Sequence, residues 1–171
     1  MARYHATVVS RSPAAETFGY LGAFSNAAEW DPGVLAGEHL DPGPVRAGSR
    51  FRLVVPFLGT RMSLTYEVIS FVPGQEVALR AASAVLRSTD RIVVTGAADG
   101  STVSYDAELR LRGPLRVLDP LLRPGFRVVA ERAAAGLADA LSRRPPGRGT
   151  RTAATAPAPS GGAGKSAGGR P

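Results

Sequence analysis

The chain has 171 residues, a length typical of a single domain, and a formal net charge of +7. It contains no cysteine, which excludes disulfide bonds, thiol catalysis and cysteine-ligated metals. Residues 1–142 are close to charge balance, so a fold built from them lacks the clustered cations that a phosphate-binding face needs, and no specific nucleic-acid binding is expected.

The first predicted elements are a strand over residues 3–10 and two short helices. Ser12-Pro13, with Glu16 in the first turn, is typical of a helix start in which Ser is the N-cap and Pro is the first helical residue. The second helix is predicted to begin at Ser25-Asn26 and to end at the break Asp31-Pro32-Gly33. The N-terminal residues lack the apolar run of a signal peptide, and no segment approaches the ~20 apolar residues of a membrane span, so a cytoplasmic protein is expected.

Six further strand-like runs follow, over residues 34–41, 49–57, 61–71, 76–82, 86–96 and 102–112. Most of them alternate apolar and polar side chains with a period of two, which is typical of strands with one wet face. The last run is the clearest, because apolar side chains from Val103 to Leu111 alternate with polar ones. The short connections between the runs favour an antiparallel sheet.

A helix is predicted after the strands, because the apolar spacing becomes helical from Leu115 to Leu141. Pro120 and Pro124 are predicted to interrupt its first part. We therefore expect an uninterrupted helix from about Pro124 onward.

The C-terminal segment has a different composition from the rest of the chain. Residues 143–171 hold five Arg and one Lys, and no Leu, Ile, Val or aromatic residue. Such a segment cannot bury enough apolar surface to offset its ordering entropy. We therefore predict a domain over residues 1–142 and a disordered, solubilising tail over residues 143–171; weak attraction of the tail to anionic lipid or nucleic acid is the alternative.

In this arrangement the chain resembles the helix-grip (SRPBCC) superfamily, which includes START-type lipid-transfer domains, polyketide cyclases and coenzyme Q-binding proteins. The resemblance rests on residues 24–32 around Trp30, on residues 66–73, on residues 99–102 before the last long strand, and on the terminal helix. It covers residues 1–142 and implies an α+β fold. In that fold a curved antiparallel sheet of six or seven strands surrounds a long C-terminal helix, with two short helices after the first strand.

The resemblance also implies a hydrophobic small-molecule ligand, held between the sheet and the last helix. The first hypothesis is a carrier or sensor of a lipid, isoprenoid quinone or polyketide-like molecule that uses no cofactor. The alternative is a polyketide cyclase or aromatase that uses the same cavity, and the fold does not decide between them. The oligomeric state is left open.

The expected lining consists of inward-facing strand residues and one face of the helix, and for each of them packing in the core is the competing interpretation. These candidate ligand-binding residues are Trp30, Phe51, Leu53, Val55, Met62, Leu64, Tyr66, Val68, Asp90, Ile92, Tyr105, Ala107, Leu109, Leu122, Phe126, Val129 and Ala133. Trp30 has two interpretations of its own: it gates the mouth of the pocket, or it anchors the short helices to the sheet.

The candidate catalytic residues are Asp90, Tyr66 and Tyr105. If Asp90 points inward, so does Ser88, and with Tyr66 and Tyr105 they form a small polar end in an apolar pocket, the usual way in which such pockets orient a ligand. The alternative places Asp90 on the outer face, paired with an arginine such as Arg80. No Gly-x-Ser-x-Gly elbow or phosphate-cradling glycine loop is present.

His5 and His39 have no partner at metal-ligand spacing, so no metal is expected.

Five arginines accompany the Leu-rich residues 115–122, and the first interpretation is that they are solvated. The alternative is that the segment 110–127 makes transient contact with a membrane surface during ligand exchange. The five arginines are Arg110, Arg112, Arg116, Arg123 and Arg127.

Overall fold

The computed structural model describes residues 1–57 and 59–144, and in that part of the chain three α-helices and seven strands are present. The predicted tail lies outside the described residues from residue 145 onward. The strands are β1 (Ala2–Ser10), β2 (Ala36–His39), β3 (Arg50–Phe57), β4 (Thr60–Val72), β5 (Glu76–Ala82), β6 (Leu86–Ala97) and β7 (Gly100–Leu111). The helices are α1 (Ala14–Gly22), α2 (Ala27–Trp30) and α3 (Asp119–Arg143), with 3-10 turns at Phe24–Asn26 and Gly113–Leu118.

The strands form one curved antiparallel sheet in the order β1-β7-β6-β5-β4-β3-β2. Neighbours in sequence pair from β2 to β7, as expected from the short connections, and β1 joins the far side by pairing with β7. This order places the first and second strands at opposite edges of the sheet. The two short helices between them therefore cross the concave face.

The start of α1 differs from the prediction. The helix begins at Ala14, with Pro13 at the N-cap position, and no side chain caps it. Ser12 is instead buried in a cluster of hydroxyl residues, where its carbonyl accepts a hydrogen bond of 2.9 Å from Ser101 Oγ on β7. Thr17 Oγ1 donates to Ser10 Oγ at 3.1 Å in the same cluster. These bonds hold α1 against β1 and β7.

The start of α3 was also predicted incorrectly, because the helix begins at Asp119 rather than near Pro124. Pro120 lies in the first turn, where a backbone N–H has no helical partner, so the missing donor costs nothing there. Pro124 is accommodated within the helix, and the long C-terminal helix is continuous to Arg143. Its later turns bury Ala133, Leu137 and Leu141 against the concave face.

A close approach of backbones joins α2 to α3. The carbonyl oxygen of Trp30 lies directly against Gly136, where a Cβ atom would overlap it. Only glycine permits this distance, so the end of α2 is fixed to the C-terminal half of α3. No helix in the described residues combines the length and apolar composition needed to cross a membrane.

Candidate functional site

A cavity of about 250 Å³ lies between the concave face of the sheet, α2 and the N-terminal half of α3. Twelve of the residues predicted for the lining are among those that surround it. They are Trp30, Leu53, Val55, Met62, Leu64, Tyr66, Asp90, Tyr105, Ala107, Leu109, Phe126 and Val129. The strand members follow the period of two along β3, β4, β6 and β7, because alternate side chains point to the same face.

Burial differs between the two ends of the cavity. Val129 on α3 is 48% exposed, and Val55, Met62 and Phe126 are partly exposed, so these apolar side chains mark the opening. Asp90 is only 5% exposed and belongs to the closed end. The cavity therefore runs from an apolar mouth to a buried polar floor.

The polar floor is built around the carboxyl group of Asp90 on β6. Tyr105 donates its phenolic proton to Asp90 Oδ1 at 2.7 Å, and Ser88 Oγ donates to Oδ2 at 3.0 Å. Arg80, the partner in the alternative interpretation, lies exposed on the outer face, whereas Asp90 faces the interior. In the pairing of β6 with β7, Tyr105 lies opposite Ile92, and Ile92 is two residues from Asp90 on the same face of the sheet. The Tyr105 side chain therefore reaches Asp90.

The environment changes the proton affinity of these groups. Burial raises the pKa of Asp90 from 3.8 to about 6, although hydrogen bonds from Tyr105 and Ser88, and one from Tyr66, act in the opposite direction. Burial, together with the charge of Asp90, raises the pKa of both tyrosines well above 10. Near neutral pH the floor therefore holds a carboxyl group that can gain or lose a proton, beside two phenols that remain protonated.

Asp31, at the end of α2, is a second carboxyl group in the lining. Its Oδ1 accepts a hydrogen bond of 2.7 Å from the backbone N–H of Gly33, which shapes the turn after the helix. Burial raises the pKa of Asp31, and the charge of Asp31 adds to the factors that raise the pKa of Asp90. The sequence interpretation treated Asp31 only as part of the helix-ending break and missed its place in the cavity.

Trp30 both lines the cavity and anchors α2. Its side chain is 3% exposed and packs edge-on against the Tyr105 ring, with centroids 5.8 Å apart. Its carbonyl contacts Gly136 of α3, as described above. Such burial fits the anchoring interpretation, and the ring forms part of the inner wall rather than the exposed rim.

Four predicted lining residues do not reach the cavity. Phe51, Val68, Ile92 and Ala133 are buried in the packed core. Phe51 is covered by Phe24 and stacks on His39, with ring centroids 4.6 Å apart. The period of two correctly places these strand residues on the inner face, but it does not tell where along a strand the covering helices leave space. The side chain of Leu122, also predicted, lies outside the described part of the chain.

Nine lining residues were not in the predicted set. Five of them belong to the loop and helix region before β2, where no regular period indicates the inner face. The nine are Phe24, Ala27, Asp31, Gly33, Val34, Pro56, Leu86, Ser88 and Ala130. Leu86 and Ser88 precede Asp90 at a spacing of two; by that period the sequence analysis placed Ser88 on the same face as Asp90, and the same period also indicates Leu86.

The histidines lie away from the cavity. His5 is on the outer face of the sheet, where Nδ1 hydrogen-bonds to Asp106 Oδ1 at 2.7 Å, and His39 stacks on Phe51. Within residues 1–57 and 59–144 no group of three or more potential protein ligands is arranged to hold a metal ion.

Three arginines of the segment 110–127 have partners in the protein. Arg110 pairs with Glu108, Arg127 pairs with Glu131 at 2.8 Å, and Arg112 donates to the carbonyl of Ser83 at 3.1 Å. The side chains of Arg116 and Arg123 lie outside the described part of the chain. Paired arginines on an exposed surface agree with the solvated interpretation, and membrane contact stays a prediction.

Comparison with known proteins adds a family and a set of related folds. A family model described as polyketide cyclase / dehydrase and lipid transport matches residues 1–142. No curated protein sequence matches the chain. The fold is similar to the Zhui aromatase/cyclase from Streptomyces sp. R1128, with a TM-score of 0.64 and 16% identity over 81% of this chain and 90% of that one.

Two further solved structures show the same architecture. A START superfamily protein from Mycobacterium smegmatis has a TM-score of 0.67 and 14% identity, over 82% of this chain and 97% of that one. The di-domain ARO/CYC BexL, from the BE-7585A biosynthetic pathway, has a TM-score of 0.62 and 17% identity, over 84% of this chain and 50% of that one. At such identities the likeness shows the fold, and it confirms the predicted helix-grip α+β architecture.

Proposed function

Because the chain belongs to the polyketide cyclase / dehydrase and lipid transport family, we propose that its cavity binds an apolar small molecule with one polar end. The role is that of a carrier or sensor, and a lipid, an isoprenoid quinone and a polyketide-like molecule all have the required character. The observation that carries the proposal is the shape of the cavity: apolar walls lead from an exposed mouth at Val129 to a buried polar floor at Asp90. Ligand sites commonly combine apolar walls with a few convergent polar groups.

The volume limits the part of the ligand that is enclosed. An apolar cavity of about 150 Å³ holds one benzene ring. The 250 Å³ found here therefore has room for roughly ten carbon atoms, the size of two fused rings. A larger ligand would place its polar end and first rings inside, and the remainder would leave through the mouth beside Phe126 and Val129.

Native mass spectrometry of the purified full chain, followed by organic extraction, tests this proposal. We expect a stoichiometric apolar molecule, bound or readily added. Val129→Trp, at the mouth, should weaken binding by obstructing entry. Val128→Trp is the matched control, because Val128 is 47% exposed but is not part of the lining. Equal binding by both variants, or a protein that takes up no apolar molecule, would refute the proposed site.

A second candidate function, cyclisation or dehydration of a polyketide-like substrate, is favoured by Asp90. A carboxyl group with a pKa of about 6 exchanges protons near neutral pH, as a general acid or base must. The apolar walls would hold the substrate chain folded while Asp90 moves the proton. Asp90→Asn should then abolish turnover of such a substrate while the protein stays folded, and unchanged turnover would exclude this function for Asp90.

A further inference from the structure

Two carboxyl groups, Asp31 and Asp90, determine which polar end of a ligand the cavity accepts. We infer that the cavity selects ligands whose polar end donates hydrogen bonds and carries no negative charge: a phenol, an alcohol or a protonated amine. This inference rests on the proposed ligand-binding function and specifies its ligand class. Carboxylate-, sulfonate- and phosphate-ended molecules are the classes that it excludes.

The first step concerns the hydroxyl groups of the floor. Ser88 and Tyr105 direct their protons to Asp90. A hydroxyl group has one proton to donate and two lone pairs that accept. Since these protons are already engaged, the Ser88 and Tyr105 hydroxyl groups present lone pairs to a ligand.

The second step concerns the remaining capacity of Asp90. Each of its oxygens accepts one hydrogen bond, at 2.7 and 3.0 Å, whereas an ionised carboxylate offers roughly four acceptor positions. At pH 7.5, above its pKa of about 6, the group is mostly ionised. A donor on the ligand would therefore hydrogen-bond to a remaining acceptor position of this buried carboxylate. An unsatisfied acceptor position on a buried charge costs free energy.

The third step is the charge balance of the lining. Among the described side chains that line the cavity there are two carboxyl groups and no Lys, Arg or His. The two carboxyl groups are close enough for the charge of Asp31 to raise the pKa of Asp90. A negatively charged ligand end would add a third anion to this group, in surroundings where screening is weak. A neutral donor avoids that repulsion, and an ammonium group is attracted to the two carboxyl groups.

A set of naphthalene probes tests the inference, because the ring system has the ten carbon atoms that the cavity encloses. Naphthalene, 2-naphthol, 2-(aminomethyl)naphthalene and 2-naphthoate are titrated into the full chain at pH 7.5, with affinities from calorimetry. We expect the naphthol and the amine to bind at least about tenfold more tightly than the naphthoate. The affinity of naphthalene should lie between that of the naphthoate and those of the two donors.

Variants assign the selectivity to the carboxyl groups. In Asp90→Asn and Asp31→Asn the affinity ratio of naphthol to naphthoate should fall several-fold. In Asp99→Asn, a control on the exposed turn before β7, the ratio should stay at the wild-type value. Naphthoate binding as tightly as naphthol in the wild type, or a ratio that neither cavity variant changes, would overturn the inference while ligand binding stands. If none of the four probes binds, naphthalene included, the proposed function fails and the inference fails with it.

Discussion

The stability of Asp90→Asn relative to the wild-type protein should be higher at pH 8 than at pH 4. Burial raises the pKa of the folded carboxyl group to about 6, from 3.8. Because the folded state holds this proton more tightly than the unfolded state, the free energy of unfolding falls as pH rises from 3.8 to 6 and remains lower above that. The difference between the two pKa values corresponds to about 3 kcal/mol at pH 8.

Urea denaturation measures this effect, with the fluorescence of the single, buried Trp30 as the signal. Part of the loss is already present at pH 4, so the stability of Asp90→Asn relative to wild type should increase by about 2 kcal/mol from pH 4 to pH 8. Titrating groups that do not interact with Asp90 are shared by the two proteins and cancel in the comparison. Asp99→Asn is the exposed control and should show a difference that hardly changes with pH. A relative stability of Asp90→Asn that is constant, or that decreases toward pH 8, would refute the reasoning.

Two further variants test the packing and the hydrogen bonding of the site. Gly136→Ala should lower the melting temperature, because the added Cβ would overlap the carbonyl oxygen of Trp30. In Gly125→Ala the added Cβ meets no atom, so this control should stabilise α3 by up to about 1 kcal/mol. Equal melting temperatures of the two variants would contradict the close contact. Tyr105→Phe should raise the pKa of Asp90 above about 6, since the phenolic hydrogen bond lowers it. A carboxyl ¹³C NMR titration measures that pKa, and an unchanged or lower value would argue against the 2.7 Å bond.

The strands and the inner face of the sheet could be predicted from the sequence because alternation is a local signal. Leu53 and Val55 on β3, and Tyr105 and Ala107 on β7, were placed on the inner face by the period of two, and they line the cavity. The same signal placed Ile92 on that face, but α1 packs over this end of the sheet and leaves no space beside it. Local periodicity therefore predicts the face, whereas the position of the cavity depends on contacts between distant elements.

The polar floor shows the same limit. The sequence indicated that Asp90, Tyr66 and Tyr105 could converge, but it favoured an outer-face position for Asp90. The register of β6 against β7 brings the Tyr105 hydroxyl to 2.7 Å from the carboxyl group, and register arises from pairing along the whole strand. Asp31 was missed because it lies in an irregular turn, where no period indicates which side chain faces inward.

The central claim is that an apolar molecule with a polar end occupies the cavity between the sheet and α3. Methyl-resolved NMR of the full chain during titration with 2-naphthol tests it directly. The methyl signals of Val55, Leu109 and Val129, which line the cavity, should shift with a single saturable dependence on concentration. Those of the exposed residues Val9 and Ile69, outside the lining, should stay unchanged. Shifts confined to Val9 or Ile69, or no shift of the three cavity residues at saturating naphthol, would contradict the account.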